Sequence, residues 1–413
     1  MAIYSIYLAS FWTIFGKNLL ISHLAILPFV IGLIFQFNKL ANRFLDKKLI
    51  PLAFLLLLIE PTMLTQTLMA GYDIVSCYLF LMGLNSVFGN KRYMIAFSMI
   101  ILPVINLRGF TLVASLFLID LYINSTREHF IKKTFKIFLA YLPSIFFLFG
   151  WMFYHYMETG WYAVSINRDR YHHLNGLEII FRNIIYIIWK IIDFGRIIIF
   201  LFIIIFFFKT RKLKDTKVKT LFFIMLFSVL PYCIFLLPFS YPVSHRHFMI
   251  TYIISIITFI YFVGFLKQNN IKIVVLVITF LCLIAGNFII YPERYGNGWD
   301  ASIKGYPYFE MKMQLDSFLK KSDIEPSAIG TKFPIDFDNY DVFLSSEHFQ
   351  FTDIDKKPLN KFKYIVQSNI SNNFTPANIE ELNHSWVLMK EFRSWQVYIK
   401  LFKNPEYYNE NKN

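Results

Sequence analysis

The feature that most limits what this chain can become is a succession of apolar stretches. Several run to about 18 residues or more with few charges. A stretch of that length, wound as a helix, crosses the roughly 30 Å of hydrocarbon in a bilayer. Helix is the form required, because lipid offers the backbone no hydrogen-bond partner. The period-two alternation of a transmembrane barrel is missing from these stretches. The pattern predicts about ten spans, over 19–35, 50–67, 70–88, 93–106, 109–123, 134–154, 193–208, 220–239, 248–266 and 273–290. The two spans that flank Arg108 are short and read equally as one broken pair. The fold class expected is therefore an α-helical polytopic membrane protein, residues 1–290, with a small α+β domain at 291–413.

Charge placement sets the partners and the orientation. The chain is 56% hydrophobic and 16% charged, against about 45–50% and about 25% in soluble domains. Its net charge of +14 could suggest nucleic acid. The Lys and Arg residues sit mostly in short loops between apolar stretches, however, so the partner they imply is the membrane lipid and not nucleic acid. One set of loops holds Lys39, Arg43, Lys47, Lys48, Lys91, Arg92, Arg127, Lys132, Lys133, the basic run at 209–219, Lys267 and Lys272. The alternate loops hold far fewer. By the positive-inside rule the first set is cytoplasmic, which puts the C-terminal domain outside the cell membrane. It also puts the first residues outside. Residues 1–18 lack the basic flank and cleavage site of a signal peptide, so a further helix is expected upstream of Met1.

The remaining segments have simpler readings. In the outer segment 155–192, the part from Leu177 to Ile192 has apolar residues broken by Glu178, Arg182 and Lys190, the pattern of an amphipathic helix at the interface. In the tail, Met311, Leu315, Phe318 and Leu319 share a helical face, while 362–367 and 395–401 alternate like strands. Cys77, Cys233 and Cys282 lie inside apolar stretches and read as small core residues. No phosphate loop, dinucleotide fingerprint or nucleophile motif is present.

Ionisable residues in or beside spans are costly, which makes them functional candidates. Glu60, Asp73 and Arg108 fall near the outer ends of their spans, as do His23, His245, Arg246 and His247. They can converge on one polar cleft at the outer face; anchoring at lipid headgroups or capping of helices is the plain alternative. Arg246, His245, His247 and Arg108 are the candidates for binding a lipid phosphate, since a guanidinium keeps its charge in low dielectric and presents a fork to phosphate oxygens. Asp73, Glu60, Arg168 and Arg170 are candidates for lining the substrate cleft. The histidines lack metal-ligand spacing.

Four stretches carry a resemblance: IFGKNLLISHLAILP at 14–28, EPTMLTQTLMAGYD at 60–73, NLRG at 106–109 and SHRH at 244–247. Together they resemble the membrane-embedded glycosyltransferases of the GT-C fold, a family 39-like branch related to protein O-mannosyltransferases and to aminoarabinose transfer onto lipid A. The resemblance covers roughly residues 1–290. It implies hexosyl or pentosyl transfer from a polyprenyl-phosphate donor to a lipid, glycan or protein acceptor at the extracytoplasmic face. Members begin with a helix entering from the cytoplasm and an outer loop bearing the catalytic acid. This sequence starts after that point, so the acid is expected upstream of Met1 and no residue here takes its role. Asp73 matches the acidic position opening an early span, and Arg246 the basic outer-loop position before a late one. The family fold admits a divalent metal, for which no ligand set is visible here, and no other cofactor is implied. Two further readings stay open. A transporter or flippase of lipid-linked sugars would favour paired halves and charged, broken mid-membrane helices, and neither shows in the sequence. A non-catalytic membrane protein is the other.

Overall fold

The computed structural model describes residues 2–125, 130–160, 176–210, 215–237, 243–292, 298, 300–332, 335–336, 338–344, 349–354, 358–370 and 374–407. The chain divides into two compact units, one of helices up to Gly286 and one from Asn287 onward, which also takes in Lys17–Leu19.

The helical unit runs α1 (Ala2–Phe15), α2 (Leu19–Phe44), α3 (Ile50–Ile59), α4 (Pro61–Leu68), α5 (Tyr72–Phe88), α6 (Arg92–Ile105), α7 (Gly109–Asn124), α8 (Phe130–Thr159), α9 (Leu177–Ile192), α10 (Ile197–Thr210), α11 (Thr216–Leu236), α12 (Met249–Gly264) and α13 (Asn269–Gly286). Among the described residues, every stretch predicted to span is mostly helix. The expectation of about ten spans is met only in part. Among the described residues, five helices are long and apolar enough to cross a membrane, or up to seven if each of two bent pairs counts as one span. The shortfall is one of length: α5, α6 and α7 have 17, 14 and 16 residues, about 21–26 Å at 1.5 Å per residue. Residues 2–15, for which no span is predicted, add α1. It is tied down by Tyr4 Oη donating to the Ala70 carbonyl at 2.7 Å and Tyr7 Oη to the Ala25 carbonyl at 2.9 Å.

Burial sorts the helices. Along α12 nearly every side chain is buried, Ile253, Ile254, Ile257 and Phe259 completely; a helix apolar all round belongs at the centre of its bundle. In contrast α8 turns Phe146, Phe149 and Phe153 outward, as a lipid-facing helix does. The amphipathic helix expected over 177–192 is present as α9. It meets α10 at a bend of 97°, so that when α10 crosses the membrane α9 lies along its surface.

Two breaks shape the site described below, and both follow from local sequence. Pro61 disfavours helical geometry at the residue before it. Glu60 is accordingly extended (φ −62°, ψ 120°), and its side chain caps α4 by accepting from Met63 N at 2.6 Å. The chain bends there by 64°. The second break follows α9, where Phe194 and Gly195 both have positive φ, 52° and 80°. Gly195 and Gly286 allow this turn to sit directly on α13. A Cβ on either would lie 2.0 Å from a carbonyl oxygen, that of Cys282 or of Phe194, which no real side chain tolerates.

The second unit has α14 (Pro307–Lys321), β1 (Ile329–Thr331), α15 (Asn339–Val342), β2 (Thr352–Asp353), β3 (Tyr364–Ser368), α16 (Pro376–Ser385), β4 (Val387–Ser394) and β5 (Val397–Lys403). The strand order is β2-β1-β3-β5-β4. β1 runs parallel to β2 and β3, while β5 is antiparallel to β3 and β4. The helical face predicted in the tail is α14, which packs Met311, Leu315 and Leu319 against Val366, Ile399 and Leu401. The central strands are not wet on one face, as their alternation suggests. All of β3 is buried, because Ile365 and Phe402 meet Leu382 and Trp386 on the other side of the sheet. Within α14, Lys312 is buried beside Asp316 at 2.6 Å. Burial pushes its ammonium pKa down, against the pull of Asp316.

Candidate functional site

The two ends of the helical unit differ in chemistry. At one end Arg43 stacks over Phe88, 5.1 Å from the ring centroid, Arg92 pairs with buried Asp120 at 2.6 Å, and Tyr261 donates to Asp215 at 3.0 Å. These are the loops read as cytoplasmic. At the other end of α5 a cleft opens among the first turn of α5, the turn between α6 and α7, the body of α11, and a 3-10 turn (His245–Phe248) that leads into α12. Its lining combines charged and polar groups, Asp73, Asn106, Arg108, Tyr232, Arg246 and His247 with the hydroxyls of Ser76 and Thr111, and apolar ones, Leu112, Met249 and Ile250.

Each side chain has a local reason for its place. Asp73 sits in the first turn of α5, where the positive end of the helix dipole favours a carboxylate. Arg246 Nε stands 3.7 Å from Asp73 Oδ2, a loose pair at a partly open site. The α6–α7 turn is kept tight by Gly109, whose N–H donates to the Asn106 carbonyl at 2.7 Å; a Cβ there would press 2.3 Å from the Leu102 carbonyl oxygen. Asn106 Oδ1 accepts from Arg108 N at 3.1 Å, and the Arg108 guanidinium donates to Tyr72 Oη at 2.8 Å. His247 accepts at Nδ1 from Ser244 N, 3.2 Å away, and the same atom meets the Tyr232 hydroxyl.

A second set of charges lies behind this lining and is closed to solvent. Arg196, 1% exposed, donates from Nε to Glu60 Oε1 at 2.6 Å and from Nη1 to the Asp193 carbonyl at 3.2 Å. Its Nη2 reaches Glu60 and Thr62. The guanidinium lies 3.8 Å from the centroid of the Tyr252 ring, a contact worth more when desolvated. Asp193 accepts from Phe194 N at 2.7 Å and from His245 Nε2 at 2.8 Å, and the His245 ring stacks on Phe194 at 4.5 Å. One buried network thus joins the break at Glu60, the break at Asp193 and the turn that carries Arg246.

Of the residues expected at the cleft, the structure brings together Asp73, Arg108, Arg246 and His247. Two go elsewhere. Glu60 is 1% exposed and is taken up by Arg196 and the cap of α4, since a carboxylate at a buried helix break needs both a cation and an amide. His245 turns away from the cleft onto Asp193, because consecutive residues of a 3-10 turn point about 120° apart. His23 binds the Leu68 carbonyl at 2.7 Å and does not line the cleft. Arg168 and Arg170 lie outside the described residues. Sequence reasoning missed Asp193, Arg196, Tyr72, Tyr232 and Asn106 as participants. Asp193 and Arg196 carried the right signal, charges at the edge of an apolar span. Among the described residues no three His, Cys, Asp or Glu side chains gather as a metal site.

Apolar helices of spanning length and a polar cleft at one end of them define a multi-pass membrane protein with a small sheet domain. No family model, curated protein or solved structure matches the chain.

Proposed function

We propose that this protein is a membrane glycosyltransferase that moves a sugar from a polyprenyl-phosphate donor to an acceptor at the extracytoplasmic face. One observation carries the reading: two guanidinium groups, Arg108 and Arg246, share with His247 a cleft that apolar Leu112, Met249 and Ile250 also line. Such a site suits an anionic amphiphile, with the phosphate against the cations and the isoprenoid chain toward lipid. When the bond from sugar to phosphate breaks, negative charge gathers on the departing phosphate, and fixed cations stabilise that state most. Asp73 keeps the Arg246 guanidinium at the wall. The sequence resemblance to GT-C glycosyltransferases supports the same assignment.

The test follows release of lipid phosphate. The natural full-length polypeptide, in vesicles, is given short-chain polyprenyl phosphates bearing a hexose or a pentose, together with membrane lipids, glycans or peptides as acceptors. Release of polyprenyl phosphate with sugar on the acceptor is the expected result. Passage of intact donor across the vesicle without release would make the protein a flippase and overturn the reading.

Orientation enters the same proposal. The Lys- and Arg-rich helix ends are expected to face the cytoplasm, with the cleft and the C-terminal domain outside. In a chain freed of its native cysteines, single cysteines at 37–49 and 209–219 should resist an impermeant maleimide in intact cells. Cysteines placed in 300–332 should react. Labelling of the 209–219 loop would reverse the assignment.

A further inference from the structure

Two groups converge on one nitrogen of His247. The backbone N–H of Ser244 donates to Nδ1 at 3.2 Å, and the Tyr232 hydroxyl reaches the same atom. An imidazole nitrogen that accepts from a backbone N–H has no hydrogen of its own, so the ring is neutral and its hydrogen is on Nε2. Tyr232 can then meet Nδ1 only as a donor. The Tyr232 ring also packs on the imidazole, with centroids 5.0 Å apart. Tautomer and ring orientation are both set by these contacts. Among the described residues, the hydrogen bonds of His247 involve its Nδ1 and not Nε2, and His247 lines the cleft with Arg108 and Arg246.

The geometry points to the Nε2–H of His247 as a neutral hydrogen-bond donor to the phosphate of a ligand in this cleft, an assignment that rests on reading the cleft as a lipid-phosphate site. A neutral donor suits the position. A third full charge beside two guanidinium groups would be repelled by them, whereas an N–H dipole adds a contact to an anion without that cost. Protonating Nδ1 would also break the bond from Ser244, which adds to the preference for the neutral ring.

The test separates this contact from the site as a whole. A glutamine at 247 can accept from Ser244 N through Oε1 and still present an N–H to the cleft, as at the same position of a capping box. A leucine can do neither. The full chain in detergent micelles is titrated with farnesyl phosphate. H247Q should bind within about threefold of the native protein and H247L about tenfold or more weaker, the scale of a charge-assisted hydrogen bond. In protein labelled with 15N-histidine, the signals absent from H247Q belong to His247. They should show hydrogen on Nε2, none on Nδ1, and a shift at Nε2 when farnesyl phosphate is added. Hydrogen on Nδ1 would overturn the assignment whatever the folding of the variants. So would an unmoved Nε2 in native protein whose farnesyl phosphate binding is lost in R246A; that result leaves the phosphate site standing. Failure of the native protein to bind farnesyl phosphate would remove both.

Discussion

Arg196→Ala is expected to cost about 3–5 kcal/mol of folding stability, because it leaves the Glu60 carboxylate buried without its cation. Glu60 and Arg196 are each 1% exposed, so water cannot take the place of the missing partner. The loss is a large fraction of the roughly 5–15 kcal/mol that holds a typical domain folded. It falls where the chain can least absorb it, since the same guanidinium donates to the Asp193 carbonyl at the α9–α10 bend. Thermal unfolding in detergent, with expression level as a second readout, measures the effect. The double variant Glu60→Gln/Arg196→Met should recover a good part of the loss, because it leaves no unpaired charge and Gln keeps an acceptor for Met63 N. A melting temperature for Arg196→Ala within a degree or two of the native protein would show that the pair is not structural.

Arg246→Lys is expected to reduce kcat/KM by about 2–4 kcal/mol in transition-state terms while leaving the fold intact. The Arg246 side chain is 27% exposed and its pair with Asp73 is 3.7 Å long, so little stability depends on it. On the proposed reading of the cleft as a lipid-phosphate site, lysine keeps the charge but loses the fork that would hold two phosphate oxygens at once. The loss should therefore fall on kcat more than on donor binding, since the contact strengthens as charge builds on the leaving phosphate. If Arg246 only anchors α12 among headgroups, Lys will serve as well, because it snorkels too. Turnover by Arg246→Lys close to the native rate would take Arg246 out of the active site and leave Arg108 as the phosphate ligand among the described residues.

These two arginines mark the boundary between what could be read from the chain and what could not. Hydropathy is a local property, and it determined the helices. Each predicted span is mostly helix among the described residues, with 50–67 divided between α3 and α4; the amphipathic pattern of 177–192 is α9, and the tail residues Met311, Leu315 and Leu319 do share a buried face. Position along a span is also local, so charges near the outer ends could be named as a group before any contact was known. Which of them would meet was decided only by tertiary structure. Glu60 finds Arg196 across 136 residues of sequence, and the choice depends on how far each helix is rotated and where it breaks. The same holds for the two histidines that flank Arg246: one turn of backbone sends His247 to the cleft and His245 to Asp193. The span count shifted for a related reason, since apolar helices of 14–17 residues can be buried by neighbours as readily as by lipid. An apolar stretch states that a segment avoids water; what covers it is a matter of the partners that packing brings, and those are set at long range.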